Sequence, residues 1–98
     1  MLTITHVPAT NRSGSISAGG TAQDVYTADQ QPKHGFEFYN KSDTAMYLDW
    51  DTDATAANGV PVPAGGSYYL PGPGGAVPPG RMSVLCATTG KTFTCKTF

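Results

Sequence analysis

The sequence predicts an all-β fold, a small β-sandwich or jelly roll of about eight short antiparallel strands with essentially no helix. Two observations carry this. Apolar and polar residues alternate in short runs, which gives a strand one buried face. Gly or Pro interrupts nearly every window long enough for three helical turns, while Thr, Tyr, Phe and Val dominate between the interruptions. A chain of 98 residues is the size of one domain, so residues 1–98 are read as a single sandwich with a thin, sheet-like core.

In chain order, Leu2 and Ile4 alternate with Thr3 and Thr5 as a first candidate strand. Shorter candidates follow around residues 15–18 and 23–27. Phe36 and Phe38 flank Glu37, and Met46, Leu48 and Trp50 alternate with Tyr47 and Asp49. Further short runs lie at 60–62 and 67–70, then Met82, Val84 and Cys86 alternate around Ser83, and 92–97 closes the series. Between them stand turn signals: Ala18-Gly19-Gly20, Asn40-Lys41-Ser42-Asp43, Asn58-Gly59, Pro63-Ala64-Gly65-Gly66 and Thr89-Gly90-Lys91. The Asn58-Gly59 pair predicts a tight hairpin, and Gly90 a residue with positive φ. From Leu70 to Gly80 the chain carries four Pro and four Gly and cannot sustain a regular ladder. It reads as a long surface loop, either an arm contacting a neighbouring subunit or a crossover between sheets.

Only 13% of the residues are charged, against about 25% in an ordinary soluble protein. A surface so poor in charge is either covered by a partner or kept soluble by Ser and Thr hydroxyls, and the composition favours a homo-oligomer. The net charge of −1 supplies no field for nucleic acid or an anionic membrane, so neither is expected as a partner. All seven acidic residues precede residue 54, whereas the later chain carries only Arg81, Lys91 and Lys96. Such asymmetry either matches different faces or subunits by charge or is chance. The first eight residues have neither the basic start nor the apolar run of a secretory signal, and no segment reaches membrane-spanning length. A chain made and used in soluble form is expected. Asn11-Arg12-Ser13 and Asn40-Lys41-Ser42 match the glycosylation acceptor pattern, which carries no chemistry without a secretory route.

No enzyme is expected, and no catalytic, cofactor-binding or metal-binding residue is assigned. Asp49, Asp51 and Asp53 have the spacing that opens a calcium loop, but the sixth position is Ala54 where Gly is needed and the twelfth is Val60 where Glu is needed. A strand running into a solvated Asp/Thr turn fits better. Gly90-Lys91-Thr92 ends like a phosphate loop, yet Leu85 stands where that loop requires Gly. His6 and His34 have no second ligand or nucleophile at a useful spacing, and two Cys with two His give zinc no support. No nucleophile elbow is present.

Cys86 and Cys95 fall on what should be the two strands of a last hairpin, opposite each other if Gly90-Lys91 forms the turn. A disulfide is conceivable there, and small apolar core thiols are the favoured reading. The alternation of Trp50 with Met46 and Leu48 favours the core for its ring over an interface anchor. One of Tyr68 and Tyr69 must point outward. The candidates for partner contact are Trp50, Tyr68, Tyr69, Pro73, Pro78 and Phe98.

Four stretches resemble small structural proteins of tailed-bacteriophage particles: residues 38–42 (FYNKS), 47–51 (YLDWD), 62–68 (VPAGGSY) and 82–90 (MSVLCATTG). The likeness spans about residues 35–97 and consists of turn-and-strand patterns. In that layout N-x-S opens a hairpin and P-x-G-G-S turns into the next strand of a β-sandwich. The resemblance implies a virion protein made in the host bacterial cytoplasm, a capsid decoration or cement protein contacting the major capsid protein, or else a tail or fibre module. It implies a trimer, with the loop at 70–80, the N-terminal residues and Phe98 as the contacts to the shell. A carbohydrate-binding module is the rival, with Trp50, Tyr68 and Tyr69 as a stacking platform and the Asp cluster binding hydroxyls.

Overall fold

A computed structural model describes residues 9–70 and 77–98 of the chain. Within them the backbone forms nine strands: β1 (Thr10–Asn11), β2 (Gly14–Ser15), β3 (Gln23–Tyr26), β4 (Phe36–Asn40), β5 (Met46–Trp50), β6 (Val60–Val62), β7 (Ser67–Leu70), β8 (Met82–Cys86) and β9 (Thr92–Thr97). The expected absence of long helix is met among these residues, where Ala28–Gln30 makes a single 3-10 turn. The candidate strand at residues 2–5 lies outside the described residues. The short run expected at 15–18 is instead Gly14–Ser15, with Thr10–Asn11 preceding it.

Every pairing is antiparallel, and the pairs are nested. β5 pairs with its neighbour β6, β4 with β7 outside that, β3 with β8, and β1 and β2 with β9 outermost. Contacts of β4 with β9 and of β5 with β8 then gather the strands into two sheets, β1-β9-β4-β7 with β2 also on β9, and β3-β8-β5-β6. One long hairpin rolled up on itself in this order is a jelly roll, the double-Greek-key form of the sandwich. The fold class is therefore the one that strand alternation and turn spacing predict.

Alternation places the core. Phe36, Phe38, Phe93 and Cys95 point inward from the first sheet, and Met46, Leu48, Val62, Met82, Val84 and Cys86 from the second. Each Phe, Met, Leu and Val among them contributes about 1.5–3 kcal/mol by leaving water. Because the core is only two side-chain layers thick, connections must pass from one sheet to the other over its ends. Pro63-Ala64-Gly65-Gly66 does so in a tight turn in which Gly66 N–H donates to Pro63 C=O at 2.8 Å and Gly65 takes φ 72°. A side chain at that third turn position would be strained, which is why glycine stands there.

Four local expectations are corrected by this topology. The segment after Asn40 does not open a hairpin, since β4 and β5 lie in different sheets. Asn58-Gly59 does not close a two-residue hairpin either; β5 and β6 are joined by a longer loop in which Gly59 N–H donates to Thr55 C=O at 2.7 Å. Gly90 has the predicted positive φ, 85°, but the turn it makes links β8 of one sheet to β9 of the other. Cys86 and Cys95 are therefore not cross-strand neighbours; each is a buried free thiol on the inner face of its own sheet. The Leu70-to-Gly80 stretch likewise joins β7 to β8 across sheets, and its first residue belongs to β7.

Two buried polar side chains hold connections to the sheets. The Asn40 amide nitrogen donates to the carbonyls of Thr44 (2.8 Å) and Val62 (3.0 Å), and its oxygen accepts from Ser42 N–H (3.0 Å) and Ser42 Oγ (2.7 Å). All four hydrogen-bonding positions of the amide are thus used. Ser83, on the outer side of β8, is buried because the loop after β5 folds over it. Its hydroxyl accepts from Ala54 N–H at 2.8 Å and donates to Thr52 C=O at 2.7 Å.

Candidate functional site

Five of the six residues proposed for partner contact lie among the described residues, and their surroundings differ. Trp50 and Tyr68 are half-buried and packed on the core, where their rings and that of Phe36 form a triangle with centroid separations of 5.7, 6.0 and 6.1 Å. The Trp50 indole N–H donates to Tyr26 Oη at 3.1 Å. Both rings point between the sheets because each lies on the inner phase of its strand. Their rings are thus spent largely on the core rather than laid out as a flat stacking platform. Phe98 extends β9: its N–H donates to Gly35 C=O at 2.9 Å and its carbonyl accepts from Lys33 and His34 N–H. Its backbone is thus engaged within the sheet. Pro78 is half-buried, and Pro73 lies outside the described residues.

Tyr69 remains. It is 56% exposed, the large hydrophobic side chain most open to solvent among the described residues. On the outer face of the first sheet it sits opposite Glu37, which in turn sits opposite Lys96. Tyr39 occupies the next outward row, between Ser67 and Thr94, with the Lys41 ammonium 5.6 Å from its ring centroid. Desolvation, then the neighbouring Glu37 charge, raises the Tyr39 phenol above its ordinary pKa. The face therefore carries two phenols and a carboxylate with flanking ammonium groups. The alternation around Glu37 signals that Tyr39 points outward, but its placement beside β7 depends on a register that sequence spacing does not encode.

The Asp cluster is dispersed by its own loop. Asp49 accepts from Trp50 N–H at 2.8 Å, Asp51 takes φ 60° and donates its N–H to Arg81 C=O, and Asp53 pairs with Arg81 Nη2 at 2.8 Å. Among the described residues no group of three His, Cys, Asp or Glu side chains stands close enough to hold a metal ion. Arg81 forks between two elements, its Nη1 lying 2.7 Å from Asp24 of β3. Lys91 meets Asp43 at 2.7 Å, and Lys96 faces Glu37 in register. Two of the three late bases thus pair with early acids inside one chain, and the third faces one in register. The charge asymmetry along the sequence reflects the nested pairing of its two halves.

Two buried acids set the response to alkali. Burial pushes the Cys95 thiol from 9.0 up to about 12. Burial likewise raises Tyr26 from 10.0 to about 12, against the smaller opposing effect of its hydrogen bond with Trp50. Because the folded values lie above the unfolded ones, the stability contributed by these two groups is full below about pH 9 and is lost as the unfolded chain releases protons that the folded chain retains, up to about pH 12. Denaturation midpoints followed by Trp50 fluorescence should show this fall. Replacing Cys95 with Ala should delay its onset from about pH 9 to about pH 10, where Tyr26 begins to act.

Fold and surface together define a small jelly-roll sandwich with an outward row of aromatic and charged side chains on its first sheet. Comparison with known proteins finds no match to this chain among protein families, curated proteins or solved structures.

Proposed function

We propose that this chain is a non-enzymatic structural protein of a tailed-bacteriophage particle, made in the host cytoplasm and bound in many copies to the outside of the head as a decoration or cement protein. The observation that carries the reading is the nested strand order, β5 with β6 inside β4 with β7 inside β3 with β8 inside β1 and β2 with β9. Jelly rolls recur in viral shells and lectins, where a rigid two-sheet body presents loops and edges to a partner. A rigid body suits repeated clamping, since affinity then comes from area and symmetry. The low charge fraction of 13% favours a surface that is covered in use, and the major capsid protein is the partner this reading names.

The lectin-like alternative is weakened because Trp50 and Tyr68 are spent on the core. Quantitative mass spectrometry of purified particles tests the proposal. Copy numbers comparable with the major capsid protein are expected, and heads stripped of the chain should lose heat resistance and regain it when the chain is added back. A handful of copies per particle would move the assignment to tail or fibre. Absence from the particle, together with specific glycan binding by the isolated chain, would overturn it.

A further inference from the structure

The two sheets end in four edges, and three of them are blunted by different means. β6 carries Pro61 at its centre, which has no N–H to offer a new strand. β3 shifts register between Asp24 and Tyr26, a bulge that breaks the regular row of donors and acceptors. On the side of β9 away from β4, β1 and β2 are two-residue pieces interrupted at Arg12 and Ser13, where Cys95 N–H is taken by the Ser13 hydroxyl at 2.9 Å. Proteins protect sheet edges in such ways because an open edge templates pairing with another chain.

Among the described residues β7 has no such protection. Its register with β4 is regular over all four residues, it contains no Pro, Gly or charged residue, and its outward side bears the exposed Tyr69. Among the described residues no strand lies beyond it. The phase of its hydrogen bonds is set by Asn40 N–H, which donates to Gly66 C=O at 2.9 Å. Bonded pairs alternate along an antiparallel ladder, so Tyr68 faces β4 while the N–H and C=O of Ser67 and Tyr69 face away.

We infer that β7 pairs edge to edge with β7 of a second copy, antiparallel about a twofold axis at Tyr68, joining the first sheets of two molecules into one. The edge is self-complementary. In that register Ser67 of each copy lies opposite Tyr69 of the other, so the two outward-facing residues meet and exchange N–H···O=C bonds on both sides of the axis. Among the described residues no other must change its pairing. The small Ser67 side chain leaves room on the outer face for the Tyr69 ring of the other copy, next to Tyr39, which flanks Ser67 in its own sheet. The nearest charged residues in these rows, Glu37 and Lys96, lie on β4 and β9, inward of β7 and away from the contact. A twofold contact of this kind is separate from any threefold association that the phage resemblance implies, and it is read on the isolated chain.

Sedimentation equilibrium of the full chain over rising concentration tests the pairing. A monomer–dimer equilibrium is expected, with the Ser67 and Tyr69 amides gaining hydrogen-exchange protection as concentration rises. Tyr69→Pro removes an outward donor from both copies and should weaken the dimer at least about tenfold. Tyr69→Lys keeps every backbone donor of the monomer and places like charges beside the axis; it should weaken the dimer in a manner relieved by salt. A chain that stays monomeric throughout, one that forms only trimers, or a dimer indifferent to both substitutions would overturn the inference. None of these results bears on particle copy number, which tests the proposed function.

Discussion

Replacing Asn40 with Asp should cost about 3–5 kcal/mol at neutral pH, a large share of the roughly 5–15 kcal/mol that holds such a domain together. The side chain is 1% exposed, and its amide nitrogen lies within 3.0 Å of two carbonyl oxygens. Aspartate has the same shape but sets a third oxygen, carrying charge, against those two. The two carbonyls lose their donor and the carboxylate loses its solvation. Protonation supplies one donor back, so the carboxyl of this variant should titrate above its ordinary range in the folded state. Stability is then level above that raised value and rises as pH falls from it toward the ordinary carboxyl range, to be lost again as pH increases through it. Chemical denaturation from about pH 4 to about pH 8 should show the variant gaining on the parent protein in acid. Asn40→Leu removes the charge but takes the amide from the Val62 carbonyl and the Ser42 N–H, while the Ser42 hydroxyl can still donate to Thr44 C=O at 2.9 Å; it should be destabilised by about 2–4 kcal/mol with no such pH dependence. Equal midpoints for the two variants at every pH would mean that the amide hydrogen bonds do not secure this end of the sandwich.

Asn40 also marks the limit of what the sequence reveals. Its place in Asn40-Lys41-Ser42-Asp43 signals a turn, and the chain does turn there. Nothing local says that its side chain enters the core to reach Val62, because that contact spans 22 positions and exists only once β4 and β6 are stacked. The strands themselves were legible: Phe36/Phe38, Met46/Leu48 and Met82/Val84/Cys86 are the buried phases of β4, β5 and β8. A period of two is a property of each strand alone. Pairing is not. Met82–Cys86 and Thr92–Thr97, separated by a glycine turn, have the pattern of a hairpin, and the same pattern serves two strands that face each other across a core. The choice between them is made by partners far away in sequence, such as Thr10 opposite Thr97. For the same reason Trp50 and Tyr68 looked available for contact, whereas Tyr39 gained its place beside β7 only through register.

The aromatic triangle yields the second large effect. Phe36→Ala should cost about 3–5 kcal/mol, the range for truncating a fully buried aromatic ring. Phe36 is 0% exposed and touches rings from both layers, Tyr68 on its own sheet at 6.0 Å and Trp50 from the opposite sheet at 5.7 Å. The loss therefore combines apolar burial with two tilted ring pairs, each worth about 0.5–1.5 kcal/mol beyond area. Neither Trp50 nor Tyr68 can close the gap without giving up its own packing, and Trp50 is further held by its hydrogen bond to Tyr26. Trp50 is the single tryptophan, so its emission reports on this site directly. The folded variant should emit to the red of the parent protein, as water reaches the indole through the vacated space, and its denaturation midpoint should fall. Tyr69→Ala, measured on dilute protein, provides the contrast: an exposed ring on the outer face should change stability by no more than about 0.5 kcal/mol and leave the emission unmoved. If the two variants were equally stable, the sheets would be held together elsewhere than at this triangle.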